Sequence, residues 1–435
     1  MTAEVIVMNK IGIAMAADSA VTMSLGAHKK IYNTTDKIFA LSRFEPVGFM
    51  CFGNAAFMGM PWEPIVKVYR DRFLGSEKFH SLKEYTMHFI KYLKSGYHTF
   101  INDKASHEYY KVQLDNIIHA LKKITNDQVD KYIKENGKIG KKKIRGIILE
   151  NLDRFYADLV KSSIDSSITK ADTRTLLDDY NVHQSFINIF RCSCSVKMES
   201  KLKRILIHTL THFTNFITYS GIVVAGYGTE EMLPCSDSFL VEGIIAGKLK
   251  HGKIESAQID LNTPAQLRPF AQSDMVRAVM EGIDPNLDDV MKRVLSGLLK
   301  KLYLEIGEAC PGTTFGKNDG EAIQELGRKI YDKFVIATDK YKQTRIIPRI
   351  MTAVSALPKS ELAVMAETLV NLTSFKRKFS IDMETVGGPI DVAVLSKGDG
   401  FVWVKRKQYF DSALNYQYMT NHLRGCMEYE ENQEK

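Results

Sequence analysis

The chain has 435 residues, of which 45% are hydrophobic and 25% are charged, and these proportions are typical of soluble globular proteins. This length is sufficient for one large domain or two ordinary ones. The longest apolar run, 47–60, lies between two prolines and is too short to span a bilayer, and the start lacks the pattern of a signal peptide. We therefore expect a cytoplasmic protein that does not enter a membrane.

Charge and cysteine content argue against two other classes. The chain carries 59 Lys and Arg and 51 Asp and Glu, a net charge of +8, but the acidic residues are interspersed and the basic loop 137–145 lacks interleaved aromatic residues. We therefore expect no nucleic-acid partner. The six cysteines are scattered, and the pair at Cys192 and Cys194 has no second pair beside it, so we expect free thiols, no metal and no cofactor.

The first fifty-three residues predict β structure. Segments 4–8 and 11–17 form an apolar pair broken by Asn9-Lys10, which is a hairpin signal. Segments 37–41 and 47–52 predict a second strand pair, and a helix is expected to start at 53–56. We expect both hairpins to belong to one sheet.

A candidate nucleophile stands at the start of this region. Thr2 follows a methionine that aminopeptidases usually remove when the next side chain is small, so the hydroxyl would lie beside a free α-amine. An α-amine has a pKa of roughly 7.7–8 and can accept the hydroxyl proton. Asp18 ends a buried strand and needs a cation, for which Lys37 is the candidate. A nearby ammonium would lower the pKa of the amine and stabilise an alkoxide.

Three motifs carry a resemblance to a known family. They are Gly-x-x-x-Ala-Ala-Asp-Ser at 12–19, Asp-Lys-Ile at 36–38 and Gly-Phe-x-x-x-Gly-x-Ala-Ala at 48–56. In this order they resemble the start of proteasome β subunits and of the bacterial proteasome-like peptidase HslV, which are N-terminal-nucleophile hydrolases. The resemblance implies an α+β fold, a four-layer αββα sandwich with mostly helical insertions.

The resemblance also assigns roles to residues of this chain. Thr2 would be nucleophile and base, Lys37 the cation that lowers the amine pKa, and Asp18 the partner of that lysine. Compared with the spacing in the family, Lys37 requires about three additional residues in the loop before it. Lys30 is therefore an alternative candidate for this cation. We prefer Lys37 because it begins the strand, turn and strand that follow. A backbone N–H near Gly53 would bind the oxyanion.

Later segments complete the predicted core. The run 220–228 ends in Ala-Gly-Tyr-Gly, as a strand of the family does, and 238–245 is its expected neighbour. Ser273 precedes a helix, where it could cap the helix or bind the catalytic amine as a family serine does. A closing hairpin is predicted at 385–395 and 400–404, with Thr385 and Gly387 as supporting candidates.

The chain also departs from the family. Val386 and Met383 stand where the resemblance implies a serine and an aspartate that support the amine. We expect a proteasome-like core formed by 2–60, 217–283 and 345–415. Segment 61–216 is a basic helical insertion with a loop at 137–145, 284–344 is a second helical insertion, and 416–435 is a C-terminal tail.

Two functions follow from these patterns. The first is a threonine peptidase that cleaves amide bonds in a peptide or protein substrate. The resemblance also implies that the chain forms homo-oligomers and that an ATPase is its partner. The second is a catalytically silent scaffold on the same fold, whose helical insertions bind a partner. The departures at 383 and 386 favour the second function.

Overall fold

The computed structural model describes residues 2–25, 28–309, 317–379, 386–411, 414–417 and 420. Met383 and Thr385, and the glycine loop before 317, lie outside the described residues. Within the described ranges, no helix is both long enough and apolar enough to cross a membrane. The chain is a mixed α and β protein whose sheets are antiparallel, which confirms the predicted α+β class.

The strands of the described ranges are β1 (Ala3–Asn9), β2 (Gly12–Ala17), β3 (Val21–Leu25), β4 (His28–Tyr32), β5 (Ile38–Ala40), β6 (Val47–Gly53), β7 (Ala56–Phe57), β8 (Met60–Pro61), β9 (Ile164–Asp165), β10 (His212–Phe213), β11 (Ser220–Gly226), β12 (Cys235–Ile245), β13 (Lys248–His251), β14 (Glu255–Gln258), β15 (Ala265–Ala271), β16 (Asp391–Ser396) and β17 (Gly400–Lys405).

The α-helices of the same ranges are α1 (Trp62–Val68), α2 (Leu82–Ser95), α3 (Asp103–Asn136), α4 (Lys141–Ser162), α5 (Arg174–Tyr180), α6 (Val182–Phe190), α7 (Val196–Thr211), α8 (Asp274–Glu281), α9 (Pro285–Ala309), α10 (Lys317–Tyr341), α11 (Ile347–Ser355) and α12 (Lys359–Lys378). Short π-helical turns follow α1 and α10, and a 3₁₀ turn follows α2.

Two large antiparallel sheets organise the fold. The five-stranded sheet has the order β15-β1-β2-β16-β17, and the six-stranded sheet has the order β13-β12-β11-β6-β5 with β14 also paired to β12. All of these strands lie within the three segments predicted to form the core. The predicted pairing of 4–8 with 11–17 is confirmed. The closing hairpin predicted at 385–395 and 400–404 is present as β16 and β17, and the pair predicted at 220–228 and 238–245 is present as β11 and β12.

Three apolar clusters hold these elements together. One cluster contains side chains of both sheets, among them Met15 of β2 and Met50 of β6. A second joins the five-stranded sheet to α12 and its neighbours, and a third joins the six-stranded sheet to α1–α7. Each sheet therefore shares one apolar face with the other sheet and covers its second face with helices.

Strand β1 is buried on both faces, and its residues alternate between two of these clusters. Val5 packs with α12, whereas Ile6 and Met8 lie in the cluster shared by the two sheets. Successive side chains of a strand point to opposite faces. Thr2 and Glu4 have the same two-residue spacing as Ile6 and Met8, so they face the six-stranded sheet.

The expectation that both N-terminal hairpins belong to one sheet is wrong. Strand β6 pairs with β5 on one side and with β11 on the other, so this pair belongs to the six-stranded sheet. Strands β1 and β2 belong to the five-stranded sheet. Local patterns predict strands and turns, but the choice of sheet depends on β11, which is about 170 residues away in the printed sequence.

Two local expectations are also corrected. No helix starts at 53–56, because β7 and β8 form a small hairpin there; Met58 and Gly59 have φ of 49° and 89° in its turn, and α1 begins only at Trp62. The basic loop is shorter than 137–145. Helix α4 already begins at Lys141, since lysines are good helix formers.

Candidate active site

Thr2 directly precedes β1, an inner strand of the five-stranded sheet, and its side chain faces the six-stranded sheet. Its side chain is buried, with 4% of the residue exposed. Its carbonyl accepts a hydrogen bond from the Gln272 N–H at 3.2 Å, which ties the strand end to the segment after β15. The Gly53 N–H, at the end of β6, donates to the Thr2 Oγ1 at 3.5 Å. The backbone of Thr2 is therefore tied to the five-stranded sheet, while its hydroxyl faces a backbone N–H of the six-stranded sheet.

Asp18 directly follows β2 and is buried. Its carboxylate accepts backbone N–H groups from Ala3 at 3.0 Å, Ala20 at 3.3 Å and Gly387 at 3.0 Å. Because a buried carboxylate requires such partners, these bonds fix its position beneath the start of β1. Gly387 was predicted as a supporting residue, and in the structure it acts through its backbone.

Lys37 reaches Asp18 from the other sheet. It directly precedes β5, and its Nζ donates to Asp18 Oδ1 at 2.5 Å, with both side chains almost fully buried. The rival Lys30 is exposed on β4, where its ammonium lies 4.9 Å from the ring of Tyr32. The structure therefore brings Thr2, Asp18 and Lys37 into one buried region and leaves Lys30 outside it.

Glu4 also lies in this buried region, although it is not among the site residues predicted from the sequence. One of its carboxylate oxygens lies 3.4 Å from the Lys37 Nζ, and the side chain is fully buried. Neither oxygen has a hydrogen bond of good geometry among the described residues. Burial raises the pKa of Glu4 to about 7, while the Lys37 ammonium and the Thr2 hydroxyl act in the opposite direction. In the sequence, the feature that could have identified Glu4 is a charged residue within an apolar strand, two residues after Thr2.

The backbone at Gly53 requires glycine. Its φ is +78°, and a Cβ there would lie 2.9 Å from the carbonyl oxygen of Tyr219. The residue ends β6, opposite Ser220 of β11. This conformation directs the Gly53 N–H at the Thr2 hydroxyl, where the sequence placed an oxyanion donor.

The remaining predicted residues are placed as follows. Ser273 is the N-cap residue of α8, as predicted, but its side chain makes no capping hydrogen bond. It is next to Gln272, whose N–H contacts Thr2. Val386 is buried and packs with the α12 cluster. Ser19 donates its hydroxyl to the carbonyl of Pro389 at 2.5 Å, which joins the end of β2 to the segment before β16.

Cysteine is not a competing nucleophile at this place. Cys51 lies on β6 near Glu4 and Lys37, and burial raises the pKa of its thiol to about 12. It is therefore protonated at neutral pH, and a thiol is a poor nucleophile. In the part of the chain that the structure describes, no group of three or more His, Cys, Asp or Glu side chains is arranged to hold a metal ion.

The arrangement suits the activation of a hydroxyl. A cation fixed by a buried carboxylate favours a developing alkoxide, and a backbone N–H beside that oxygen can stabilise negative charge in a water-poor site. Comparison with models of protein families finds no match, and a search among curated proteins finds none either. Function therefore rests on the geometry of this chain's own residues.

Proposed function

We propose that this chain is a threonine-type N-terminal-nucleophile hydrolase that cleaves amide bonds, with peptide bonds as its substrate. The observation that carries the proposal is the convergence of three groups. The Thr2 hydroxyl, the Gly53 N–H and the buried Lys37–Asp18 pair come from two different sheets and meet between them. Buried charges cost free energy, so such a convergence is a mark of functional sites.

The fold supports the same proposal. Two antiparallel sheets share an apolar cluster, and helices cover their outer faces. This order of layers fits the αββα sandwich that the sequence resemblance implies. In such a fold the nucleophile lies at the start of the first strand, where Thr2 precedes β1.

The reaction begins when an aminopeptidase removes Met1. The freed amine of Thr2 accepts the Oγ proton as the oxygen attacks the substrate carbonyl carbon, and the carbonyl π electrons move to oxygen. The Gly53 N–H stabilises this oxyanion, and Lys37, held by Asp18, stabilises the negative charge at Oγ. The amine then gives its proton to the leaving nitrogen as the C–N bond breaks, and water hydrolyses the remaining ester by the reverse sequence.

The substrate class and assembly are part of this proposal. A peptide or protein substrate, a homo-oligomer and an ATPase partner follow from the resemblance to proteasome-like peptidases, and the cytoplasm is the proposed site of action. The helical segments 61–216 and 284–344 would decorate this core. Size measurement in solution by light scattering distinguishes a homo-oligomer from a monomer.

The experiment compares the processed wild-type protein with Thr2→Ala and Thr2→Ser. Cleavage of an unfolded protein substrate is followed through the new amino groups that it releases. The wild type is expected to cleave, Thr2→Ser to retain part of the activity, and Thr2→Ala to fall to background. Cleavage by Thr2→Ala at the wild-type rate would assign the activity to another residue.

The alternative is a silent scaffold on the same fold, whose helical insertions bind a partner. Buried Val386 favours it, because it occupies the place where the resemblance implies a serine that supports the amine. A site without its supporting shell usually loses activity. A Thr2→Ala variant that replaces the wild-type gene with no loss of biological effect would decide for the scaffold.

A further inference from the structure

Glu4 and Glu242 are the deeply buried glutamates among the described residues, and their surroundings differ. Glu242 on β12 accepts two hydrogen bonds from the Lys250 ammonium, at 2.9 Å and 2.8 Å, and one from the Tyr110 hydroxyl at 3.3 Å. Glu4 is equally buried, yet its oxygens lack hydrogen bonds of good geometry. A buried carboxyl without such bonds is costly, so its retention requires a reason.

The surroundings of Glu4 supply that reason. It lies on the same face of β1 as Thr2, two residues along the strand, and the Thr2 hydroxyl acts to lower the pKa of the Glu4 carboxyl. The titratable groups around it are Lys37 before β5, Asp18 after β2 and Cys51 on β6. Lys37 is already hydrogen-bonded to Asp18, so Glu4 is not required to fix the ammonium.

We propose that the Glu4 carboxylate is a second base for the Thr2 hydroxyl, so that Thr2 can be activated without a free α-amine. This inference rests on the proposed function, since it concerns the same nucleophile. Catalytic hydrogen bonds are often long or poorly aligned before substrate binds, which fits the geometry at Glu4.

Glu4 would carry the proton from Thr2 to the leaving group. A Glu4 oxygen takes the Oγ proton as Oγ forms its bond to the substrate carbonyl carbon, and the π electrons of the carbonyl move to its oxygen. When the C–N bond breaks, Glu4 returns the proton to the leaving nitrogen. The Lys37 Nζ lies 3.4 Å from the Glu4 carboxylate and is held there by Asp18.

This route has its own pH dependence. Glu4 must be ionised to accept the proton, and its pKa of about 7 makes it half ionised at neutral pH. A base with a pKa close to the working pH is the most effective one. The rate through Glu4 therefore rises as the pH passes through about 7 and is constant above it.

The test separates the two bases by using protein that retains Met1, produced with methionine aminopeptidase inhibited and verified by intact mass. Modification of Thr2 by a β-lactone probe is measured by mass spectrometry between pH 5 and pH 9. The proteins are wild type, Glu4→Gln and the control Glu135→Gln, which changes an exposed residue of α3. A parallel series uses processed protein with the free Thr2 amine.

We expect the Met1-retaining wild type to be modified with a midpoint near pH 7, and Glu4→Gln to react about 100-fold more slowly without that midpoint. Glu135→Gln should match the wild type. If only processed protein reacts, and Glu4→Gln does not change its rate or pH profile, Glu4 is not a base although Thr2 remains the nucleophile. If no form reacts at Thr2, the proposed function and this inference fail together.

The role of Glu4 can be tested even if the Glu4→Gln variant does not fold. The Met1-retaining wild type carries its own test, because it lacks an amine at Thr2. Modification with no midpoint near pH 7, or no modification while processed protein reacts, overturns the inference without any variant.

Discussion

Replacing Glu4 with glutamine should change how the stability of the protein depends on pH. Burial raises the pKa of Glu4 from 4.5 to about 7 in the folded state. At about 1.4 kcal/mol per pKa unit, this shift corresponds to about 3 kcal/mol. Between pH 4.5 and 7 the unfolded chain releases this proton while the folded protein retains it, so the free energy of unfolding falls as pH rises.

Glutamine has no proton to release, so Glu4→Gln lacks this loss. Relative to the wild type, the variant should gain about 3 kcal/mol in unfolding free energy between pH 4.5 and pH 8, with most of the change between pH 5 and 7. Urea unfolding followed by tryptophan fluorescence at several pH values measures it. Glu242 also has a pKa raised to about 7, but it is present in both proteins and cancels in the difference.

The control for this measurement is Glu135→Gln, which should follow the wild type at every pH. The reasoning is refuted if wild type and Glu4→Gln show parallel pH dependence. Such a result would mean that Glu4 is ionised in the folded protein at pH 5, and that Lys37 rather than burial dominates its titration.

Three further substitutions test the buried pairs and the turn. Asp18→Ala leaves Lys37 without its hydrogen-bonded carboxylate and should lower the free energy of unfolding by about 3–5 kcal/mol, as read from urea midpoints; a loss below 1 kcal/mol would contradict the pairing. Glu242→Ala leaves the Lys250 ammonium buried without a carboxylate and should cost a similar amount, while the rate of Thr2 modification in the surviving folded protein stays unchanged. Gly53→Ala places a Cβ at φ +78° against a carbonyl and should cost about 1–2 kcal/mol and slow Thr2 modification at least tenfold; unchanged kinetics would remove this N–H from the mechanism.

The local elements of the core follow directly from the sequence. The apolar segments of β1 and β2 with Asn9-Lys10 between them predict their hairpin, and the structure has it at Ala3–Ala17. The sequence also predicts a cation beside Asp18, since a carboxylate at the end of a buried strand needs one, and the start of a strand, turn and strand at Lys37 favours this lysine over Lys30. The contact between Asp18 and Lys37 is present at 2.5 Å.

The relation between the sheets does not follow from local patterns. Strand β6 finds its second partner in β11, so the Lys37 side of the site belongs to a different sheet from Thr2. The role of Glu4 depends on the same fact. A charge in a strand is ordinarily assigned to a solvent face, and only the opposing sheet makes this face of β1 an interior.

The proposed hydrolase requires Thr2 as its reacting residue. The decisive measurement is peptide mapping of the processed protein after treatment with a β-lactone probe, with Lys37→Met as the comparison. We expect one adduct on Thr2 in the wild type, and labelling of Thr2 that is at least a hundredfold slower in Lys37→Met. An unmodified Thr2, or equal labelling of both proteins, would contradict the proposed function.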